Sequence, residues 1–543
     1  MVQENFINTI TSSLVNNWSK PAFTDYGTEH TMTYGDVANQ IAKLHLIMRE
    51  VGIKPTDRVA LMGRNNSNWV TTYLATITYG SIVVPILQDF NSYDTLHIIN
   101  HSGSKLLFLT DLLYDNLDIH QMSEVRAVIS LTDFHPIATV PAVETENILP
   151  EAILKRFEAL YPNGLQPDDI HYIHRSNEEV GSINYTSGTT GFSKGVLTPL
   201  NALAGNVKFC SENHVVYPES RQLVHLPLAH SFGCAFDFLT SFCVGAHAWY
   251  MGRMPSARIL LQAFAEVKPT CVFTVPLIIE KLYKQIILPH KNDISPTKAR
   301  QILIDLFGGQ LDEVIIGGAP LNDEVAQYLT DIKFPYTVGY GMTECAPLIA
   351  YCKANVYRLG SCGKELPGLM KVKVDHPNKD GIGELIVSGE HIMYGYYEGS
   401  NESLNLRTTD EWFRTGDLGY IDEDGYIYIK GRCKTMILGP NGQNIYPEEI
   451  EAKLNNLPYV AESLVLEQEG RLVALVYPDL KAADDAHLNH EMLEQMMERN
   501  RKIVNARLAR YEQIQRISLF PREFEKTPKK NIKRFLYTYA LTK

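Results

Sequence analysis

From about residue 30 to residue 345, short apolar runs alternate with longer amphipathic stretches. Arg58–Met62, Ile82–Ile86, Lys105–Leu109, Ala127–Ser130, Leu223–Leu226, Cys271–Val275 and Glu313–Ile316 are brief and rich in valine, isoleucine and leucine. Such runs predict strands covered on both faces. Tyr34–Val51, Ser256–Glu266 and Leu321–Thr330 carry apolar residues at helical spacing, which predicts amphipathic helices to cover those strands. Strands separated by helices imply α/β layering around largely parallel sheets.

The texture changes after about residue 355. Met370–Asp375, Gly383–Val387 and Tyr426–Ile429 are short strand-like runs, with glycine turns at Asp380-Gly381 and Asp424-Gly425. That pattern predicts a small antiparallel, β-barrel-like subdomain. Further on, Ala461–Leu466, Leu472–Tyr477 and Arg516–Phe520 read as strands, and Pro447–Leu454 and Glu491–Arg507 as helices. The expected fold class is α/β. A large multi-layer N-terminal domain spans 1–431 and a small α+β C-terminal cap spans 432–543, with the boundary near Gly431-Arg432.

Composition narrows the function classes only a little. A chain of 543 residues is too long for one core, in keeping with two domains. With 62 acidic and 50 basic side chains its formal charge is -12, which argues against a general nucleic-acid binder but not against a local anion site. None of the eight cysteines forms a C-x-x-C pair, so no zinc or thioredoxin-type motif is read, and buried thiols in a reducing compartment are expected. The stretch Met1–Asn17 has no basic n-region and no long apolar core, so no signal peptide is read. No run of about 18 apolar residues occurs, so no transmembrane segment is expected and a cytoplasmic location is the default.

Candidate chemistry first surfaces at residues 185–195, Tyr-Thr-Ser-Gly-Thr-Thr-Gly-Phe-Ser-Lys-Gly. The hydroxyls of Thr186, Ser187, Thr189 and Thr190 interleave with Gly188 and Gly191, and Lys194 follows. Glycines let backbone N–H groups curl around an anion, hydroxyls add donors, and lysine adds a point charge. The Walker pattern is absent. A strand (Ser182–Tyr185) enters the loop and another (Gly195–Leu197) leaves it, with a helix expected from Thr198-Pro199 as N-cap and N1. On composition alone, a Thr- and Gly-rich surface loop is the plainer alternative.

The loop resembles the signature of the adenylate-forming (AMP-binding) superfamily, which includes acyl-CoA synthetases, luciferases and the adenylation domains of peptide synthetases. The resemblance continues in order at Leu226-Pro227-Leu228-Ala229-His230, Gly317-Gly318-Ala319-Pro320 and Gly339-Tyr340-Gly341-Met342-Thr343-Glu344. It runs on through Gly383-Glu384-Leu385, Phe413-Arg414-Thr415-Gly416-Asp417, Gly431-Arg432-Cys433-Lys434 and Tyr446-Pro447-Glu448-Glu449-Ile450-Glu451. Each block alone is weak; the ordered series is specific, and most like the acyl-CoA synthetases that act on long-chain fatty acids.

Acyl-adenylate formation brings a carboxylate onto the α-phosphate of ATP and expels pyrophosphate, so two anions must meet among cations and oriented donors. The resemblance implies ATP, Mg²⁺ and coenzyme A as cofactors. It assigns the β- and γ-phosphates to the loop Thr186–Lys194, the α-phosphate to Thr343, and Mg²⁺ to Glu344, an oxygen ligand suited to a hard cation. Asp417 would accept from both ribose hydroxyls, and Arg432 would reach the ribose and the phosphate. Gly318, Ala319 and Tyr340 would frame the adenine. His230 would stand where the acid's carboxylate enters. Lys434 would be the hinge of a mobile cap that turns for the thioester step, with Gly439 and the Asn441-Gly442 turn beside it. Singly, these residues have plainer readings: a helix cap for Thr343-Glu344, core positions for Tyr340 and His230, a linker for Lys434. Gly233 stands roughly where peptide-synthetase relatives bind an α-amine, with Asp237 close by, so an acid without an α-amino group is expected.

One departure matters. The superfamily ends in K-T-x-x-G-K-x-x-R, whose second lysine bridges the carboxylate and the α-phosphate. Residues 526–534 read Lys-Thr-Pro-Lys-Lys-Asn-Ile-Lys-Arg, so Asn531 takes the lysine slot and Lys530 the glycine's. Losing one preorganised donor costs about 10²–10³ in rate. Three outcomes stay open: a local shift that brings Lys530 in, a natural Asn531 with slow adenylation, or an altered residue. Impaired adenylation with intact thioester transfer is expected. The basic segment is a solvated surface on the plainer reading, and a peripheral membrane or carrier-protein patch on the sharper one. The function expected is ATP-dependent activation of a carboxylic acid of the fatty type and transfer to coenzyme A, giving acyl-CoA, AMP and pyrophosphate. The alternatives are an acyl-AMP ligase that loads a separate acyl carrier protein, and a catalytically impaired nucleotide-binding relative.

Overall fold

Thr33 and Asp36 start the first long helix. The Thr33 hydroxyl accepts from the Asp36 N–H while the Asp36 carboxylate accepts from the Thr33 N–H, so Tyr34–Val51 begins with a capping box. Gly52 ends it at φ 79°, a left-handed turn that glycine adopts without strain. Val37, Ile41, Leu44 and Met48 of this helix are buried, as the helical spacing requires. The computed structural model describes residues 2–186, 194–252, 256–291, 293–399, 412–438, 443–468, 470–527 and 532–537.

The N-terminal domain is built on three sheets. The largest runs in the order Tyr396–Tyr397, Lys194–Pro199, Val180–Thr186, Ile82–Ile86, Arg58–Met62, Ser104–Leu109, Ala127–Ser130, Pro136–Thr139. Its centre is parallel and its edges antiparallel. A second sheet places Arg221–Val224, His247–Tyr250 and Pro21–Asp25 in parallel, with Thr31–Thr33 at the edge. A third, Cys271–Thr274, Glu313–Ile316 and Tyr336–Val338, is wholly parallel and adjoins the second through Arg221 and Thr270. Parallel strands place their C-terminal ends on one rim, where ligands of α/β sheets bind.

Two antiparallel sheets follow, as the glycine-turned strand pattern after residue 355 leads one to expect. One joins Tyr340–Gly341, Leu348–Tyr351 and Lys364–Glu365; the other joins Met370–Asp375, Gly383–Gly389, Phe413–Ile421 and Ile427–Arg432. The smaller C-terminal domain holds Val460–Gln468, Arg471–Pro478 and Ile514–Leu519 in one sheet, with the helices Pro447–Leu454 and His490–Asn505 packed on it. Among the described residues, no helix is long and apolar enough to cross a membrane.

Several boundaries differ by a few residues from the sequence reading, and at two of them a distant strand is the reason. The helix after the phosphate loop starts at Leu200, because the ladder Ser182↔Thr198 and Val180↔Pro199 keeps Thr198 and Pro199 extended. The strand expected at Leu223–Leu226 is Arg221–Val224, its register set by His247–Tyr250. His225 and Leu226 run past it, and the Leu226 carbonyl accepts from Asn65 Nδ2 at 2.7 Å.

Candidate active site

The stems of the phosphate loop come together because their strands pair. Thr186 and Lys194 are Cα partners at the open end of that hairpin, and the Thr186 hydroxyl donates to the Lys194 carbonyl at 3.5 Å. Ser187, Gly188, Thr189, Thr190 and Gly191 lie outside the described residues. The short strand Tyr396–Tyr397 adds to the same edge, opposite Val196 and Gly195. Lys194 Nζ thereby stands 4.8 Å from the centre of the Tyr396 ring, a cation–π contact. The Tyr396 hydroxyl donates to Glu344 Oε1 at 3.0 Å. Burial and the Glu344 charge hold that hydroxyl above its ordinary pKa, so it remains a donor.

Tyr396 thus fixes a cation and a carboxylate on either side of itself, a link the sequence does not announce. Tyr394-Gly395-Tyr396-Tyr397 is an aromatic run with nothing to tie it to Glu344, 52 residues earlier. Glu344 belongs to the single turn Thr343–Cys345 that follows Tyr340–Gly341, and its carbonyl accepts from the Met393 N–H at 2.8 Å. Thr343 is buried there. Tyr396→Phe removes one hydrogen bond to a charged group, worth about 1.5–3 kcal/mol. The expected outcome is a rise in KM for ATP of severalfold or more, read from steady-state kinetics.

A second constellation gathers Tyr340, Asp417 and Arg432. Asp417 and Arg432 are Cα partners on adjacent antiparallel strands, and Arg432 Nε lies 2.8 Å from Asp417 Oδ1. The Tyr340 hydroxyl donates to Asp417 Oδ2 at 2.6 Å. Burial pushes the Asp417 carboxyl above its usual range, with Arg432 as the main opposing influence. The Arg432 side chain is 56% exposed while that of Asp417 is 6% exposed, so the arginine has room to move and the carboxylate does not.

Gly318 follows Glu313–Ile316 at φ 84°, where the backbone requires glycine, and both it and Ala319 are exposed. A Cβ on the preceding Gly317 would lie 3.1 Å from the Phe232 ring, so that glycine admits the ring. His230 is half-buried, and its Nδ1 accepts from the Phe232 N–H at 3.2 Å, which leaves the proton of the neutral ring on Nε2. Lys434 lies exposed in the turn after Ile427–Arg432. Gly439, Asn441 and Gly442 lie outside the described residues.

Lys530 and Asn531 also lie outside them, but both flanks of that loop are anchored. Lys526 bridges Ile532 in antiparallel fashion and pairs with Glu462. Arg534 Nη2 reaches both oxygens of Glu451, at 2.6 and 2.5 Å, and Glu451 also accepts from the Val465 N–H. Burial pushes the Glu451 carboxyl up to about 8, with the Arg534 guanidinium as the main opposing influence. Arg534→Met strands this buried carboxylate and is expected to destabilise the C-terminal domain by about 3 kcal/mol or more. Joint replacement with Glu451→Leu should recover much of that loss in thermal unfolding, since the buried carboxyl left without its partner goes with it.

The chain matches the model of the AMP-binding enzyme family over residues 13–397. It is 25% identical over 476 residues to the long-chain-fatty-acid–CoA ligase FadD15 of Mycobacterium bovis, which covers 80% of this chain and 75% of that protein. It is 28% identical over 443 residues to a feruloyl-CoA synthase of Amycolatopsis sp, covering 80% of each. In fold it is similar to the ATP-bound MatB of Rhodopseudomonas palustris, with a TM-score of 0.77, 20% identity, and coverage of 99% of this chain and 100% of that one. The O-succinylbenzoate coenzyme A synthetase (MenE) of Bacillus subtilis in complex with ATP and magnesium ion is also similar, with a TM-score of 0.73, 21% identity, and coverage of 98% and 99%. The donors described above suit those ligands: a lysine and a threonine hydroxyl for phosphate, a carboxylate for a hard divalent ion. The chain belongs to the AMP-binding enzyme family, as an AMP-forming acid–CoA ligase that uses ATP, Mg²⁺ and coenzyme A.

Proposed function

We propose that the acid activated is a fatty acid, and that Thr186, Lys194, Thr343, Glu344, Asp417 and Arg432 hold ATP for its attack. The observation that carries the nucleotide site is the pair Lys194 and Glu344 on Tyr396, a cation for phosphate beside a carboxylate for a metal. Mg²⁺, when bound, screens the phosphate oxygens and favours departure of pyrophosphate. Lys194 and the loop hydroxyls hold the β- and γ-phosphates. Thr343 donates at the α-phosphate. Asp417 accepts from the ribose hydroxyls as the exposed Arg432 swings toward the phosphate, and Gly318, Ala319 and Tyr340 frame the base. His230 donates from Nε2 to an oxygen of the acid. The C-terminal domain over 432–543 then turns about Lys434 for the thioester step.

The fatty reading rests on what lies behind His230. Phe232 lies 5.6 Å from Phe236, and Phe236 stacks on Phe273 at 5.4 Å, an apolar aromatic wall. A relative's name, long-chain-fatty-acid–CoA ligase, agrees with it. The test is acid-dependent ATP–pyrophosphate exchange over short, medium, long and aromatic acids. Exchange confined to medium and long aliphatic acids is the expected result. Exchange with aromatic acids alone would replace the fatty reading with an aryl one.

A further inference from the structure

The helix Gly233–Thr240 has π geometry, a rare form that recurs at functional sites. Its wide turn brings Asp237 one turn beneath Phe232, beside Phe236. Asp237 is wholly buried, and among the described residues neither oxygen of its carboxyl has a hydrogen-bond partner. The same holds for both polar atoms of the Gln222 amide and for the Tyr250 hydroxyl.

These three side chains lie on neighbouring elements. Gln222 pairs with Ala248 and Val224 with Tyr250, so Gln222 and Tyr250 project from the same face of adjacent strands. That face meets the π-helix. Burial raises the Tyr250 hydroxyl and the Cys271 thiol, and Asp237 lies near enough to both to add a smaller contribution. Buried polar groups are ordinarily paired, and a cluster of them left without protein partners is built to receive a polar occupant. Burial drives the Asp237 carboxyl well upward, toward its neutral form. An amide, a carboxyl and a hydroxyl together offer both donors and acceptors, which suits a hydroxyl or carbonyl oxygen.

The cluster also lies in line with the reacting end of the site. His230 and Phe232 lead into the same helix, and Phe232 lies against Gly317, next to Gly318 and Ala319. An acid with its carboxyl end at His230 would run past Phe232 and Phe236 toward Asp237. We propose that Gln222, Asp237 and Tyr250 form the polar far end of the acyl site, and that the fatty acid taken carries a hydroxyl or keto oxygen on its distal carbons. This rests on the fatty-acid reading above.

Non-hydrolysable N-acylsulfamoyl adenosines test it on the full chain by calorimetric titration, independently of the rate of adenylation. Matched pairs of medium-length tails, plain or bearing a terminal or penultimate hydroxyl or keto group, give the comparison. At one chain length the oxygenated member should bind about tenfold tighter or more. Asp237→Leu should abolish that ratio, and Tyr250→Phe, which preserves shape, should lower it severalfold. Equal affinity within every pair, or a ratio untouched by both variants, would overturn the polar far end and leave the fatty reading standing. Binding of no member of any pair, with ATP still bound, would overturn both.

Discussion

Asn531→Lys is expected to raise acid-dependent ATP–pyrophosphate exchange by about 10²–10³. The slot sits in a loop whose flanks are fixed to the C-terminal domain, by Lys526 on Glu462 and Ile532, and by Arg534 on the buried Glu451. The amide can donate hydrogen bonds but brings no charge to the two anions that must approach. Thioester formation from a supplied acyl-adenylate should rise far less, because the adenylate has already been made. Lys530→Ala decides what the unaltered chain does now. If exchange falls with it, Lys530 serves in the neighbour's place. If exchange is unchanged, the chain adenylates without a lysine from this loop. Failure of Asn531→Lys to raise exchange, in a variant that still forms thioester, would overturn the expectation that Asn531 impairs adenylation.

Most of the architecture is legible in the sequence because burial on both faces leaves a plain mark. Arg58–Met62 and Ile82–Ile86 occupy adjacent parallel strands at the ranges their apolar runs indicate. Boundaries set by a distant partner are not legible. Thr198 and Pro199 look like the start of a helix locally, and are held extended by Ser182 and Val180 across the hairpin. The same division runs through the site. Asp417 and Arg432 stand in motifs and meet as strand partners. Tyr340 also stands in one, yet its hydroxyl is spent on Asp417, a contact that no local pattern reveals. Tyr396 stands in no motif, and Asp237 is marked only by its nearness to Gly233, with nothing to say that it is buried. The first depends on an edge strand added from far along the chain, and the second on a π-turn that helical periodicity does not distinguish from an ordinary helix.

Glu344→Gln is expected to lower ATP–pyrophosphate exchange by about 10²–10³ and to shift its Mg²⁺ dependence to higher concentration. The substitution isolates charge from shape. An amide oxygen at Oε1 still accepts from the Tyr396 hydroxyl, so Tyr396 keeps its place beside Lys194. What is lost is the anionic oxygen pair that a hard divalent ion prefers. Tyr396→Phe makes the complementary change, leaving the carboxylate charged and removing what orients it. The two variants should therefore separate: Glu344→Gln recovers in part as Mg²⁺ is raised, and Tyr396→Phe recovers as ATP is raised. If the Mg²⁺ dependence of Glu344→Gln matches that of the unaltered chain, Glu344 does not hold the ion. The ligand must then be sought elsewhere on the same rim of the parallel sheets.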